Sequence, residues 1–282
     1  MPLLDPSAPW LGMEPETLRF LEVHRARAVA VPGRAWMDLG DSVMLYSPRE
    51  NDPFFNRLAA VRWPSDPADF QARLGVAKEM FSAIDRQPCL WVVPGLSTPL
   101  DIVARLEAEG FVDQGGGFDL VLARSPGESA EARLSQRFGL ERWHQSTAAE
   151  MEPRAEALAL VVGEAFDIPR SRHGSLVKEI SLTLGSASFH ANVVTVDGEP
   201  VAAGGRYTFD GASYLSSIGT TAAWRGRGLA TMVTRSLAQD SIDSGVGIVY
   251  LSVHADNGGA LRLYEKLGFA VTGPKFADMV LG

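Results

Sequence analysis

The feature that most constrains this chain is a late stretch that repeats an earlier one. Phe111 and Phe269 stand 158 positions apart, and at that offset Glu107, Gly110 and Gly115 fall on Glu265, Gly268 and Gly273. With one inserted residue, DLVL at Asp119–Leu122 falls on DMVL at Asp278–Leu281. Such a repeat predicts two copies of one supersecondary plan. Length agrees, because 282 residues are too many for one typical core and suit two domains of roughly 130 to 150 residues. Between the copies, SPGESAEAR at Ser125–Arg133 is small and polar and contains Pro126 and Gly127, which reads as a linker. The expected division is therefore 1–127 and 128–282.

The second half carries the clearer local signals. Pro153–Phe166 and Leu176–Leu184 have helical composition and spacing. Phe189–Val196 and Val201–Phe209 flank the turn Asp197–Pro200 and predict a hairpin; Tyr214–Thr220 follows Asp210-Gly211 and extends it as a meander. Next, Leu229, Met232, Val233 and Leu237 mark one face of a helix reaching about Ser244. Ile248–Val253 then reads as a buried strand, parallel to its predecessor because a helix crosses over between them. Asn257 caps a last helix with Ala260, Leu263, Tyr264 and Leu267 on one face, and Gly268 stops it.

Between the third strand and its helix stands RGRGLA, Arg225–Ala230. Glycine pairs alone carry little weight in a chain with 28 glycines. A helix start is different, because its first N–H groups are unpaired and carry partial positive charge, and glycine lets a phosphate approach the backbone. The context thus points to a diphosphate-bearing cofactor. There is no GK[ST] of a Walker loop, Thr231 stands where a Rossmann third glycine belongs, and neither a GxSxG elbow nor an HExxH zinc site occurs. At the repeat offset Arg225–Ala230 falls on Pro67–Ala72 and Tyr264 on Leu106, so the first half lacks both the loop and the phenol.

Composition narrows the partners. The net charge of −8 argues against a nucleic-acid backbone, whose affinity comes from Lys and Arg neutralising phosphates. A cationic small substrate suits it better, although such a charge also serves solubility. No apolar run approaches the roughly 18 residues of a membrane span, and MPLLDPSAPW does not read as a signal peptide. Cys89 is the only cysteine, which excludes an internal disulfide and a cysteine zinc cluster; no metal site is expected. A cytoplasmic protein that binds neither nucleic acid nor membrane is the expectation, with the oligomeric state open.

From about Phe138 onward, the order hairpin, third strand, RGxGxA loop, helix, strand and Asn-led helix with LYEKLGF resembles the GNAT superfamily of acyl-CoA-dependent N-acetyltransferases. Either motif alone would be weak; the combination is specific. With the repeat, the fold class implied is α/β (α+β): two tandem GNAT-like domains, each a mixed central sheet flanked by helices, the C-terminal copy intact and the N-terminal one degenerate. The resemblance implies that acetyl-CoA is the co-substrate. Backbone groups around Ile218, Gly219 and Thr220 would meet its pantetheine arm, and those of Arg225, Gly226, Arg227, Gly228, Leu229, Ala230 and Thr231 its pyrophosphate. Asn257 matches a position that often contacts the cofactor, and Tyr264 one that often protonates the leaving thiolate. Ala222 departs from the family, which often has proline there.

The activity implied is acetyl transfer to an amine by direct attack, with no covalent enzyme intermediate. An amine near pKa 10 must lose a proton before attacking, the oxyanion needs donors in place, and the thiolate gains from an acid. For the base, Glu164, Asp167, Glu179, His190 and His254 are candidates, with Asp167 and His254 at element ends. By helix position alone Tyr264 is a core aromatic, and the family motif is what raises its acid role. Two other readings stand beside the enzyme: a non-catalytic acyl-CoA-binding sensor or interaction protein, and a nucleotide-binding protein. The amine acceptor is not encoded in any motif.

Overall fold

The computed structural model describes residues 12–30, 34–126 and 138–282. The expected boundary at residue 127 and most of the expected linker lie outside the described residues. The chain forms two compact units, and each takes pieces from both halves of the sequence. The first comprises residues up to Asp119 together with Val253–Gly258 and Val271–Gly282, and the second includes Leu120–Ser252 and Gly259–Ala270.

The elements of the first half are α1 (Pro15–Val29), β1 (Ala35–Asp38), β2 (Val43–Tyr46), β3 (Arg57–Ala59), α2 (Pro67–Ala83), β4 (Cys89–Val92), α3 (Ile102–Ala108), β5 (Phe111–Asp113) and β6 (Gly117–Leu122). The second half has β7 (Phe138–His144), α4 (Ala148–Ala165), α5 (His173–Leu184), β8 (Phe189–Val196), β9 (Glu199–Phe209), β10 (Ala212–Thr220), α6 (Leu229–Asp243), β11 (Ile248–His254), α7 (Gly258–Lys266), β12 (Phe269–Val271) and β13 (Ala277–Leu281). Among the described residues, no helix is long and apolar enough to cross a membrane.

Two sheets result, of order β1-β2-β3-β4-β13-β5 and β12-β6-β11-β10-β9-β8-β7. Strands from the two halves repeat at the offset read from the sequence. β5 and β12 begin at Phe111 and Phe269, and the glycine before each, Gly110 (φ 88) or Gly268 (φ 93), is left-handed. This is the backbone state that glycine adopts without a Cβ penalty. The last strand of each copy is exchanged: β13 runs between β4 and β5, and β6 between β11 and β12. Ala277–Val280 pair antiparallel with Val92–Cys89, and Met279–Leu281 with Asp113–Phe111. Met279 is fully buried in a core with Leu58, Phe70, Phe81, Leu90 and Leu106.

The sequence reading named no strand at β7, β12 or β13 but placed the other second-half elements closely, and the largest shift has a local cause. α4 begins at Ala148, a turn before Pro153, because Thr147 and Glu150 form a capping box. The Glu150 carboxylate accepts from the Thr147 N–H at 3.0 Å and from its hydroxyl at 2.7 Å. α6 buries Leu229, Met232, Val233 and Leu237, the expected stripe, and β10 and β11 are parallel as expected. The predicted match of Arg225–Ala230 to Pro67–Ala72 is corrected by the helix starts, since α2 begins at Pro67 and α6 at Leu229. Counting from the left-handed residue that follows β3, Ala60 (φ 53), and the one within β10, Ser217 (φ 53), the second copy spends eleven residues before its helix and the first only six.

Burial of β13 makes a testable point. Met279→Ala, three residues from the end of this sequence, should cost about 2–5 kcal/mol. Urea unfolding followed by tryptophan fluorescence measures it; an unchanged midpoint would contradict the exchanged strand.

Candidate active site

β10 and β11 run side by side only from Ala212↔Ile248 to Leu215↔Leu251. Beyond Leu215, β10 stays with β9 alone, and its register shifts between Ser216 and Gly219, where Ser217 is left-handed. The parting strands leave one backbone edge of Ile218, Gly219 and Thr220 without a ladder partner on the β11 side. Thr220 adds a buried hydroxyl oxygen with no hydrogen-bond partner.

The bulge is held from outside by α4. A Cβ on Gly219 would come within 2.4 Å of the Ala165 Cβ and 3.5 Å of the Phe166 ring, so only glycine fits. The same helix end grips the loop that follows. Glu164 Oε1 accepts from the Ala222 N–H at 2.6 Å. Arg225 donates through Nε to the Thr220 carbonyl at 3.2 Å, and its Nη2 lies 3.5 Å from the carbonyls of Glu164 and Ala165. These last carbonyls of α4 form the negative end of its dipole, where a guanidinium is favoured. The alanine at 222 thus has a use: proline there would lack the N–H that Glu164 accepts.

The loop then turns into α6. Gly226 (φ 76) and Gly228 (φ 80) are left-handed, and Gly228 is the N-cap with no side-chain cap bond and no acidic residue in the first turn. The first backbone bond of the helix runs from the Met232 N–H to the Gly228 carbonyl at 3.1 Å, leaving the N–H groups of Leu229, Ala230 and Thr231 at its positive end. Arg227 stacks its guanidinium over Trp224 at 4.5 Å. The corresponding start of α2 is closed. There Asp66 accepts from the N–H groups of Ala68 at 2.9 Å and Asp69 at 3.2 Å, so the chain supplies its own anion.

Tyr264 is almost fully buried and meets Phe269 edge-on at 6.0 Å. Burial, with a smaller effect of Tyr214 on β10, pushes its phenol up to about 12. It therefore keeps its proton at any physiological pH. Ile218–Thr220, Arg225–Thr231 and Tyr264 all belong to the second compact unit, whereas Asn257 belongs to the first. Asn257 stands immediately before α7 and donates its N–H to the His254 carbonyl at 3.0 Å.

The base candidates separate. Glu164 is engaged by the Ala222 N–H, and His190 is excluded by position. His190 stacks on His144 at 4.0 Å, and burial, helped by Arg206 and His144, pulls its imidazole down to about 4. Asn192, two residues along the same strand face, bonds Ser236 and Asp240 near the far end of α6. Asp240 is eleven residues beyond Leu229, roughly 16 Å along the helix. Asp167, exposed and left-handed (φ 52), follows α4, and His254 is exposed at the end of β11. Glu179 lies on α5. The anchoring roles of Glu164, Ala165 and Phe166 were not visible in the sequence, because they depend on which helix end packs on the bulge.

Residues 156–269 match the Acetyltransferase (GNAT) family. This part of the chain is a GNAT acetyltransferase domain. It is similar to the mycothiol acetyltransferase of Nocardiopsis dassonvillei, 39% identical over 75 residues, which cover 27% of this chain and only 19% of that relative. In fold, the chain is similar to a GCN5-related N-acetyltransferase from Kribbella flavida, with TM-score 0.66 and 20% identity over 93% of this chain and 94% of that one. A tandem GNAT protein from the clavulanic acid biosynthesis pathway gives TM-score 0.62 and 16% identity over 90% and 85%. The tandem GNAT arrangement read from the repeat is therefore the observed fold. GNAT acetyltransferases use acetyl-CoA.

Because folding raises the Tyr264 pKa, its contribution to stability is complete below about pH 10 and is lost as pH rises through about 12. In an alkaline tyrosinate absorbance titration Tyr264 should ionise near 12, and Tyr264→Phe should lower the absorbance change there by one tyrosine. An unchanged profile in the variant would assign the late step elsewhere.

Proposed function

We propose that this protein is an N-acetyltransferase that moves an acetyl group from acetyl-CoA to an amine by direct attack. The observation that carries the reading is the uncapped start of α6, reached through two left-handed glycines from a strand that has just left its neighbour. These residues fit acetyl-CoA: N–H groups of Gly226–Thr231 would hold the pyrophosphate, the Arg225 N–H being bonded to the Ala222 carbonyl at 3.3 Å, and the open edge of Ile218, Gly219 and Thr220 would hold the pantetheine arm. Bound acetyl-CoA supplies an activated thioester. Main-chain N–H groups at the parted strand would orient and stabilise the developing oxyanion. Tyr264, neutral across the physiological range, would give its proton to the departing sulfur. Asn257 remains a further cofactor contact by family position. Removal of the amine proton falls to Asp167, His254 or a water chain.

An amine acceptor, cationic before it loses its proton, is in keeping with the net charge of −8. In the first unit, Asp66 occupies the helix start at which the second unit would receive a phosphate, supporting the reading of that copy as degenerate for acetyl-CoA. Arg225 is assigned to holding the loop rather than to the phosphate, because its guanidinium faces backbone carbonyls.

Calorimetry with acetyl-CoA tests the cofactor assignment. Gly228→Trp forces a large side chain into a left-handed position and should weaken binding by about tenfold or more while the fold persists; undiminished binding would refute the loop assignment. With an amine that supports thiol release, Tyr264→Phe should lower kcat by about a hundredfold and leave the acetyl-CoA Kd within about twofold. Full activity in that variant removes the acid role. Tight acetyl-CoA binding without thiol release across an amine panel would favour the sensor reading, and preference for ATP or NAD over CoA a nucleotide-binding one.

A further inference from the structure

The first unit contains a buried carboxyl group that the proposed acetyl transfer does not use. Glu22, on α1, is 2% exposed, and neither of its side-chain oxygens has a hydrogen-bond partner. It lines a cavity of about 20 Å³ with Leu18, Leu21, Val93, Leu96 and Phe276 as apolar walls, and Asp119 and Thr272–Pro274 completing it. That volume holds an ordered water or one small cationic head group.

The charged groups around Glu22 do not close on it. Arg25, one turn along α1, is paired with Asp119 and lies over the rings of Trp91 at 4.7 Å and Phe276 at 5.2 Å. Arg62 donates Nη1 to the Val61 carbonyl at 3.0 Å. The Ala60 backbone N–H lies near the Glu22 carboxyl and favours its ionised form as a weak hydrogen-bond donor does, although no bond of normal geometry closes on either oxygen.

Most donors along the lining are already committed, the Gly273 N–H being the exception. The Val93 N–H bonds Ser97 Oγ at 2.9 Å, the Leu96 N–H bonds the Val93 carbonyl at 3.0 Å, and the Phe276 N–H bonds the Gly117 carbonyl at 2.9 Å. The N–H and hydroxyl of Thr272 both go to the Asp119 carbonyl, at 2.9 and 3.0 Å, and Pro274 has no N–H. Acceptors remain: two Glu22 oxygens and the lone pairs of Thr272 Oγ1. A ligand complementary to this set brings several N–H donors, a positive charge and a short apolar body.

We propose that this cavity binds the ammonium head of a small primary amine, seated on the Glu22 carboxylate with its alkyl part against Leu18, Leu21, Leu96 and Phe276. The assignment is independent of acetyl-CoA binding and rests on the first unit alone. Without a ligand, burial raises the Glu22 carboxyl to about 7, Asp119 adding to the rise and Arg25 and Arg62 opposing it. An ammonium ion favours the ionised form, so occupancy releases a proton and strengthens as pH rises through 7.

The test uses the full-length protein without acetyl-CoA, titrated with methylammonium or ethylammonium chloride at constant ionic strength. Melting temperature and calorimetry are the readouts, with potassium and tetramethylammonium chloride as controls. The expected result is a saturable response to the two primary amines alone, about tenfold weaker at pH 6 than at pH 8. It should disappear in Glu22→Gln and in Leu96→Trp, which fills the cavity while keeping the carboxylate. Two findings overturn the proposal: no saturable response in the wild type at pH 8, as for a water-filled cavity over a protonated Glu22, or an equal response to potassium. If Glu22→Gln does not fold, Leu96→Trp decides, and an undiminished response there also overturns it.

Discussion

Gly219 sits where the end of α4 presses on β10, and no Cβ fits between them. Through this contact the bulge of β10 is fixed, and with it the point at which β10 stops pairing with β11. The same helix end reaches the following loop through Glu164 and, by its carbonyls, Arg225. One packing constraint therefore sets the open strand edge and the placement of the loop. The glycines at 226 and 228 can then bring the chain into α6 with its first N–H groups unspent.

Comparison of the two copies shows how little separates an anion-receptive helix start from a closed one. Both units have a left-handed residue at the strand that leads into a helix, Ala60 after β3 and Ser217 in β10. In the second, eleven residues and an uncapped glycine intervene; in the first, six residues end in an aspartate that caps its own helix. A carboxylate at an N-cap satisfies the same donors and the same dipole that a phosphate would. The first unit also carries a buried carboxyl at Glu22, and both of its oxygens lack partners.

Much of this was legible in the sequence because it is local. The hairpin around Asp197-Gly198, the stripe of α6 and the parallel pair β10 and β11 follow from turn chemistry and periodicity, and they agree with the structure. The repeat at 158 residues places β5 against β12 by sequence alone. Other features were not legible. Nothing in DMVL announces that β13 is hydrogen-bonded between β4 and β5, because an exchanged strand presents the same alternation as one kept at home. Glu164 reads as a solvated helix carboxylate until the Ala222 N–H is found 2.6 Å away. His190 reads as a base candidate until its stacking on His144 and its row beside Asn192 place it by the far end of α6.

By itself, then, the sequence determined two copies of a mixed sheet-and-helix plan and which of them kept a glycine-rich helix start. Those properties depend on residue type at short spacing, where backbone sterics and periodicity act directly. Tertiary structure alone decided which sheet receives each final strand, which helix end braces the bulge and which carboxyl is buried without a partner. Each of those depends on what packs against a residue from far along the chain, and side-chain desolvation and close contact are not written in its neighbours.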